Sequence, residues 1–277
     1  MRILVTSASG ANGDGYGALL TFTAEGEPLG PFIRDPRVTD PRGMAVDLSG
    51  ELVYLNSSDD RVLALDQDGS VVYDSGPVPG LDPGGAAFGP DGRYYVTMRG
   101  RRTVGAMPAE LDAAAERYLP DDIVPFPRGF AFGPDGRLYL ASGEPPSGGG
   151  DNTILVFDQA GTLVTPRLVT DPELSPLDLT IAPDGNIVVA SEHPFGAPDA
   201  VTSVREYNPV TGQLVRVLRP EPATRFRRPR GLRFGPAGRL YCVSEDLVAA
   251  FDFASGTYAG PVVELTRLNG QAVVVIP

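Results

Sequence analysis

Short apolar runs alternate along the whole chain with breaks rich in Gly, Pro and Asp. The breaks are not random. Aligned on its start, one unit reads PRGMAVDLSGELVYLNS from Pro41, PGGAAFGPDGRYYVTMR from Pro83 and PRGFAFGPDGRLYLASG from Pro127. It returns as PLDLTIAPDGNIVVASE from Pro176 and PRGLRFGPAGRLYCVSE from Pro229. Each unit predicts an apolar strand, a tight turn (GPDGR or a variant) and a second, alternating strand. The starts lie 42, 44, 49 and 53 residues apart, the repeat length of four-stranded propeller blades.

After most units comes a second hairpin with Asp, Asn and Gly at its turn: LALDQDGSVV, LVFDQAGTLV, EYNPVTGQLV and AAFDFASGTY. The Asp66-Asp68-Gly69 pattern is therefore read as a turn in preference to a calcium loop. In the second unit AELDAAAERYL (109–119) is the chain's one good helix candidate. LNGQAVVVIP from Leu268 begins a unit that stops, and RILVTSA with ALLTFTAEGEPLGPFI supplies its remaining strands. The expected fold is all-β: a single-domain six-bladed β-propeller with blades 268–277 plus 1–40, 41–82, 83–126, 127–175, 176–228 and 229–267. Closing one blade from both ends of the sequence removes a free sheet edge.

The P-x-G-x-A-F-G-P-D-G-R-L-Y pattern resembles that of NHL-repeat propellers, the gluconolactonase-type (senescence marker) proteins and the strictosidine-synthase-like proteins. The resemblance covers essentially the whole chain and implies the fold more narrowly than the function. Its members include lactonases, condensing enzymes, lyases and binding modules.

MRILVTSASGANGDG also looks like the opening strand and Gly-rich turn of a dinucleotide-binding fold. Ser7 stands where that pattern has its first glycine, and GYGALLTFTAEGEPLG follows with hairpin alternation where a helix is required. The dinucleotide reading is set aside.

Composition narrows the chemistry. All 23 basic residues are Arg, so Schiff-base catalysis on an enzyme amine and a Walker A loop are both excluded. One Cys (Cys242) and one His (His193) preclude an internal disulfide and a His-rich zinc site. A net charge of −12 argues against nucleic acid as a partner. No apolar run approaches a membrane span, and MRILVTSA has no signal-peptide core, so a cytoplasmic protein is expected. Oligomeric state is not legible.

In a propeller, the loop before the first strand of each blade and the loop after the second emerge on one face, around the central channel. The first column is Arg42, Gly84, Arg128, Leu177, Arg230 and Asn269; the second is Asn56, Arg99, Glu144, Glu192, Glu245 and Ser7. Three guanidiniums around one mouth call for an anion: a substrate carboxylate or phosphate, or internal partners among Glu144, Glu192, Glu245 and Asp178. Arg42, Arg128, Arg230, Arg99, Glu144, Asn269 and Asp178 are the substrate-binding candidates, with Tyr16 and Phe195 as aromatic walls. Glu192, Glu245 and His193 are the acid–base candidates, since two nearby carboxylates can separate their pKa values.

Loops 7–17, 142–152 and 191–202 would rim this face. Seven Arg fall between 216 and 233, read as a solvated outer face leading into Arg230.

The gluconolactonase resemblance implies a divalent cation such as calcium held by Glu, Asn and Asp. Its Pro-Asn-Gly reads Pro-Arg-Gly here at 41–43, 127–129 and 229–231, and only Asn269 matches its Asn. Fixed cations at those points repel a metal, so none is expected. The leading expectation is a metal-independent acid–base enzyme for a small anionic substrate. The resemblance to strictosidine synthases implies a Pictet–Spengler joining of an amine to an aldehyde as its nearest reaction. A metal-dependent lactonase and a non-catalytic binding propeller are the alternatives.

Overall fold

The computed structural model describes residues 1–8, 18–145, 150–220 and 226–277. Its strands run in chain order as β1 (Arg2–Ser7), β2 (Ala18–Thr23) and β3 (Pro28–Ile33), then β4 (Met44–Val46), β5 (Val53–Ser57), β6 (Arg61–Leu65) and β7 (Val71–Asp74). The next two sets are β8 (Pro83–Phe88), β9 (Tyr94–Met98), β10 (Thr103–Met107), β11 (Glu116–Arg117), and β12 (Pro127–Phe132), β13 (Leu138–Ser142), β14 (Thr153–Phe157), β15 (Leu163–Thr165). The last are β16 (Pro176–Ile181), β17 (Ile187–His193), β18 (Val201–Tyr207), β19 (Leu214–Leu218), then β20 (Gly231–Phe234), β21 (Arg239–Val243), β22 (Leu247–Asp252), β23 (Thr257–Glu264) and β24 (Gly270–Ile276).

They form six four-stranded antiparallel sheets, five of them consecutive in sequence and the sixth ordered β24-β1-β2-β3. The inner strands β4, β8, β12, β16, β20 and β24 each touch the next, and β24 touches both β20 and β4. That closes a six-bladed β-propeller. Among the described residues no helix is long and apolar enough to cross a membrane. The antiparallel pairing of β1 with β2 is a hairpin, not the strand–helix start of a dinucleotide fold.

Alternation along each strand sends apolar side chains to both faces of every sheet, because each sheet is covered by a neighbour on both sides. Six buried clusters result, one in each gap between blades. The first turns work as the repeat implies: the carboxylates of Asp91, Asp135 and Asp184 accept the backbone N–H two residues on. Asp66 likewise accepts from the amides of Asp68 and Ser70, so this segment is a turn.

Segment 109–119 is not helical; it passes through turns into the short outer strand β11. A helix would align Leu111, Ala115 and Leu119 on one face. Here Leu111 packs in the gap between the first and second blades and Leu119 in the gap between the second and third. Pro108 and Pro120 bound the stretch, and the blade's need for a fourth strand overrides the local alanine preference.

The Pro-x-Gly start shared by four of the five internal units has a steric reason, clearest at Gly129. A Cβ there would lie 1.8 Å from an Asp178 carboxylate oxygen and 2.7 Å from the Asp178 Cα. The inner strands of neighbouring blades approach too closely for any side chain. Gly129→Ala is expected to cost at least the about 1–3 kcal/mol of ordinary overpacking, read as a lowered urea midpoint. An unchanged midpoint would mean that the blades stand further apart than described.

Candidate functional site

The inner strands begin at one mouth of the channel and end at the other, so residues just inside each unit start converge around the first mouth. They include Arg42, Arg128, Asp178, Arg230 and Gln271, joined by Arg99 from the end of β9, around a cavity of about 90 Å³. Arg42, Arg128 and Arg230 are brought together as the repeat implied, with Arg99 and Asp178 beside them. Asn269 is not among them. It is exposed, and Gln271, two residues on, occupies the sixth position.

Most of these cations have partners. Arg42 pairs with Asp40 at 2.9 Å and lies 3.8 Å from Asp82; Arg99 binds Asp82. Arg233 was not among the expected residues, yet it spans the channel. It pairs with the buried Asp178 at 2.9 Å and donates to the Leu232 carbonyl, to Ala86 O at 3.3 Å and to Met44 O at 3.4 Å. Asp178 also accepts from the Leu232 amide at 3.0 Å. Burial raises the pKa of Asp178, against the pull of Arg233.

Arg128 and Arg230 have no carboxylate within 4.0 Å among the described residues. Arg128 is stacked between Phe126 at 4.4 Å and Phe195 at 4.6 Å, and its Nη2 donates to the Glu144 carbonyl at 2.8 Å. Its Nε is buried without an acceptor. Arg230 donates from Nη1 to Gln271 Oε1 at 3.2 Å. Burial and the neighbouring Arg230 bring the Arg128 pKa down to about 10, and burial with Arg228 lowers that of Arg230. Both cations remain protonated at neutral pH. Glu144 contributes its main-chain carbonyl here.

The two glutamates do meet. Glu192 and Glu245 line a side pocket of about 260 Å³ with Arg227, Arg228 and Thr202, between the fourth and fifth blades. Their environments differ. Glu245 is paired with Arg228 at 3.1 Å. Glu192 is only 5% exposed, and burial raises its pKa; Arg228 and Arg230, the Gly196 amide as donor, pull it down, and Glu245 pushes it up. Arg230 and Arg128 both feel the Glu192 charge, which links pocket and mouth.

His193 lines neither cavity. It follows Glu192 within β17, and successive strand residues point to opposite faces, so their adjacency in sequence separates them in space. Its Nδ1 is buried without a partner. Asn56 and Ser7, from the second column, are buried and used structurally: Asn56 donates to Gly84 O and accepts from the Tyr94 hydroxyl, and Ser7 donates to Leu268 O. Tyr16 lies outside the described residues, as do most of loop 7–17 and part of loop 142–152.

A divalent cation does not fit these residues. Among those described, no three His, Cys, Asp or Glu side chains stand together. Asp178, the carboxylate lining the mouth, is held by Arg233, and three arginines stand where oxygen ligands would be needed.

Arg233 could have been found from the repeat. At its position the other units carry Ala45, Ala87, Ala131 and Thr180; one long cation among small neutral residues is the signal.

No protein-family profile matches the chain, and no curated protein matches it in sequence. Solved structures do. The chain is similar to one in a nidogen/laminin complex (TM-score 0.75, 15% identity, covering 99% of this chain and 97% of that one). It is similar to a gluconolactonase from Xanthomonas campestris (TM-score 0.62, 17% identity, 94% and 85% covered). A third is virginiamycin B lyase from Staphylococcus aureus (TM-score 0.59, 14% identity, 89% and 80% covered). At these identities the likeness establishes the propeller fold and nothing finer.

Proposed function

We propose that the first mouth binds the carboxylate or phosphate head of one small anionic substrate, and that Glu192 exchanges a proton with it. The observation that carries this reading is the pair Arg128 and Arg230, two half-buried guanidiniums with no carboxylate partner among the described residues, at a mouth where the other cations are matched. Stacking on Phe126 and Phe195 fixes the Arg128 plane before any ligand arrives, so binding sacrifices little side-chain freedom. An anion supplies the missing charge and accepts charge-assisted hydrogen bonds.

Glu192 suits proton transfer because it is buried, has no ion pair among the described residues and sits within the field of both arginines, whereas Glu245 is paired with Arg228. Likeness in fold to a lactonase and a lyase is consistent with an enzyme. A metal-dependent lactonase is the weaker reading, because the donor set does not fit its cation. Nothing in the site singles out an amine–aldehyde condensation.

Calorimetric titration with inorganic phosphate and acetate, with a turnover screen of carboxylate- and phosphate-bearing compounds, tests the reading. Because its pKa is raised, Glu192 is neutral at low pH and becomes negative as pH climbs through a range above that of an ordinary carboxylate. Its charge then offsets Arg230 and Arg128. Anion affinity is expected to fall as pH rises through that range, and to stay flat in Glu192→Gln. On any compound turned over, the same variant should lose about 10²–10⁴-fold in rate while still binding anions. Binding without turnover of any compound would leave a non-catalytic binding propeller.

A further inference from the structure

The opposite mouth is chemically unlike the first. Val46, Phe88, Phe132, Ile181, Phe234 and Val275, at or next to the ends of the inner strands and one from each blade, surround a basin of about 410 Å³. All six are half-exposed. The aromatic members are braced edge-on from behind: Phe88 on Tyr54 at 4.8 Å, Phe132 on Tyr95 at 4.8 Å and Phe234 on Phe253 at 4.9 Å. Such walls hold their shape without a ligand. Small side chains (Ala45, Ala87 and Ala131) leave the space open below them, and Arg233 closes its floor.

We propose that this basin is a second binding site, for a small uncharged apolar molecule. Its volume lies within the range of small-molecule pockets. Its polar side chains are Thr180 and Arg233, and the Arg233 guanidinium is already neutralised by Asp178 and donates to three carbonyls. Nothing in the basin rewards a ligand charge. A protein partner is disfavoured by the rim, where four of the turns carry Asp47, Asp91, Asp135 and Asp184. Among the described residues that line the basin, Leu48, 66% exposed, is the one large apolar side chain that projects outward. Stable protein interfaces need a broader apolar centre than one projecting leucine beside this basin.

The probe is N-phenyl-1-naphthylamine, a neutral fluorophore that brightens in apolar surroundings, titrated into the intact protein. Saturable binding of one molecule per chain is expected. Ala131→Phe fills the basin and should weaken binding at least tenfold while phosphate binding at the other mouth persists. Val275→Glu, at a half-exposed wall position that tolerates a charge, should weaken it likewise and covers the case in which Ala131→Phe fails to fold. Non-saturable brightening, or unchanged affinity in the folded variants, overturns the proposal. Concentration-dependent dimerisation abolished by Val275→Glu would overturn it too, by assigning the face to a second copy of the chain.

Discussion

Arg233→Met is expected to destabilise the protein by about 3–5 kcal/mol, the usual cost of removing one partner of a buried ion pair. That corresponds to a fall of roughly 6–20 °C in melting temperature for a chain of this size. Asp178 would keep its carboxylate in the channel wall with only the Leu232 amide as described donor from the fifth blade. Met44, Ala86 and Leu232 would each lose a donor to their carbonyl, releasing the contacts that join the first, second, fourth and fifth blades at one point. The pH dependence has a definite sign. Burial already raises the pKa of Asp178, and loss of Arg233 raises it further. A protonated Asp178 carries no charge, so the deficit should be largest at neutral and higher pH and shrink as pH falls. Adding Asp178→Asn should restore part of the loss, because an amide costs less to bury than an unpaired carboxylate. Chemical denaturation of the parent, Arg233→Met and the double variant at two pH values decides it. A single variant as stable as the parent would mean that the blades need no central tie.

Arg128→Met separates the two roles that arginines take in this channel. Its expected effect on phosphate affinity is a fall of roughly tenfold to a hundredfold, the equivalent of about 1.5–3 kcal/mol for hydrogen bonds to a charged group. Stability should move little or upwards, since a cation without a carboxylate partner is replaced by a side chain that packs well between Phe126 and Phe195. Phosphate should raise the melting temperature of the parent and leave that of the variant nearly unchanged. Unaltered phosphate binding would sink Arg128 as an anion ligand. A loss of stability matching that of Arg233→Met would assign it to the scaffold instead.

The fold was legible because a propeller writes the same unit five times, and a single misread copy cannot move the others. Pro41, Pro83, Pro127, Pro176 and Pro229 mark the starts, and the strand ladder follows them. The misreading at 109–119 has a local cause. That segment answers to two different blade gaps through Leu111 and Leu119, information that lies in neighbouring units and not in the stretch itself. Among the site residues, Arg42, Arg128 and Arg230 could be placed together because each stands at the same offset in its unit. Asn269 could not, because β1 and β24 slip in register between Ser7 and Val5, so counting from Leu268 lands two residues early. His193 neighbours Glu192 in sequence but not in the site, because successive strand residues face opposite ways. Arg233 carries its meaning as the exception to its column, whereas the columns are legible through what their members share.

The sheet that joins β24 to β1 has a consequence for synthesis. The chain emerges from the ribosome in order, at about 5–20 residues per second. β1 is therefore made roughly 15–50 seconds before the strand that pairs with its inner edge. During that interval β1, with the apolar stretch Ile3-Leu4-Val5, has one side without a partner, an invitation to pairing with another nascent chain. Crowded translation of one message should therefore favour entangled oligomers over monomers. A holding chaperone that covers the first blade should matter more to this protein than to one whose blades are all completed in turn.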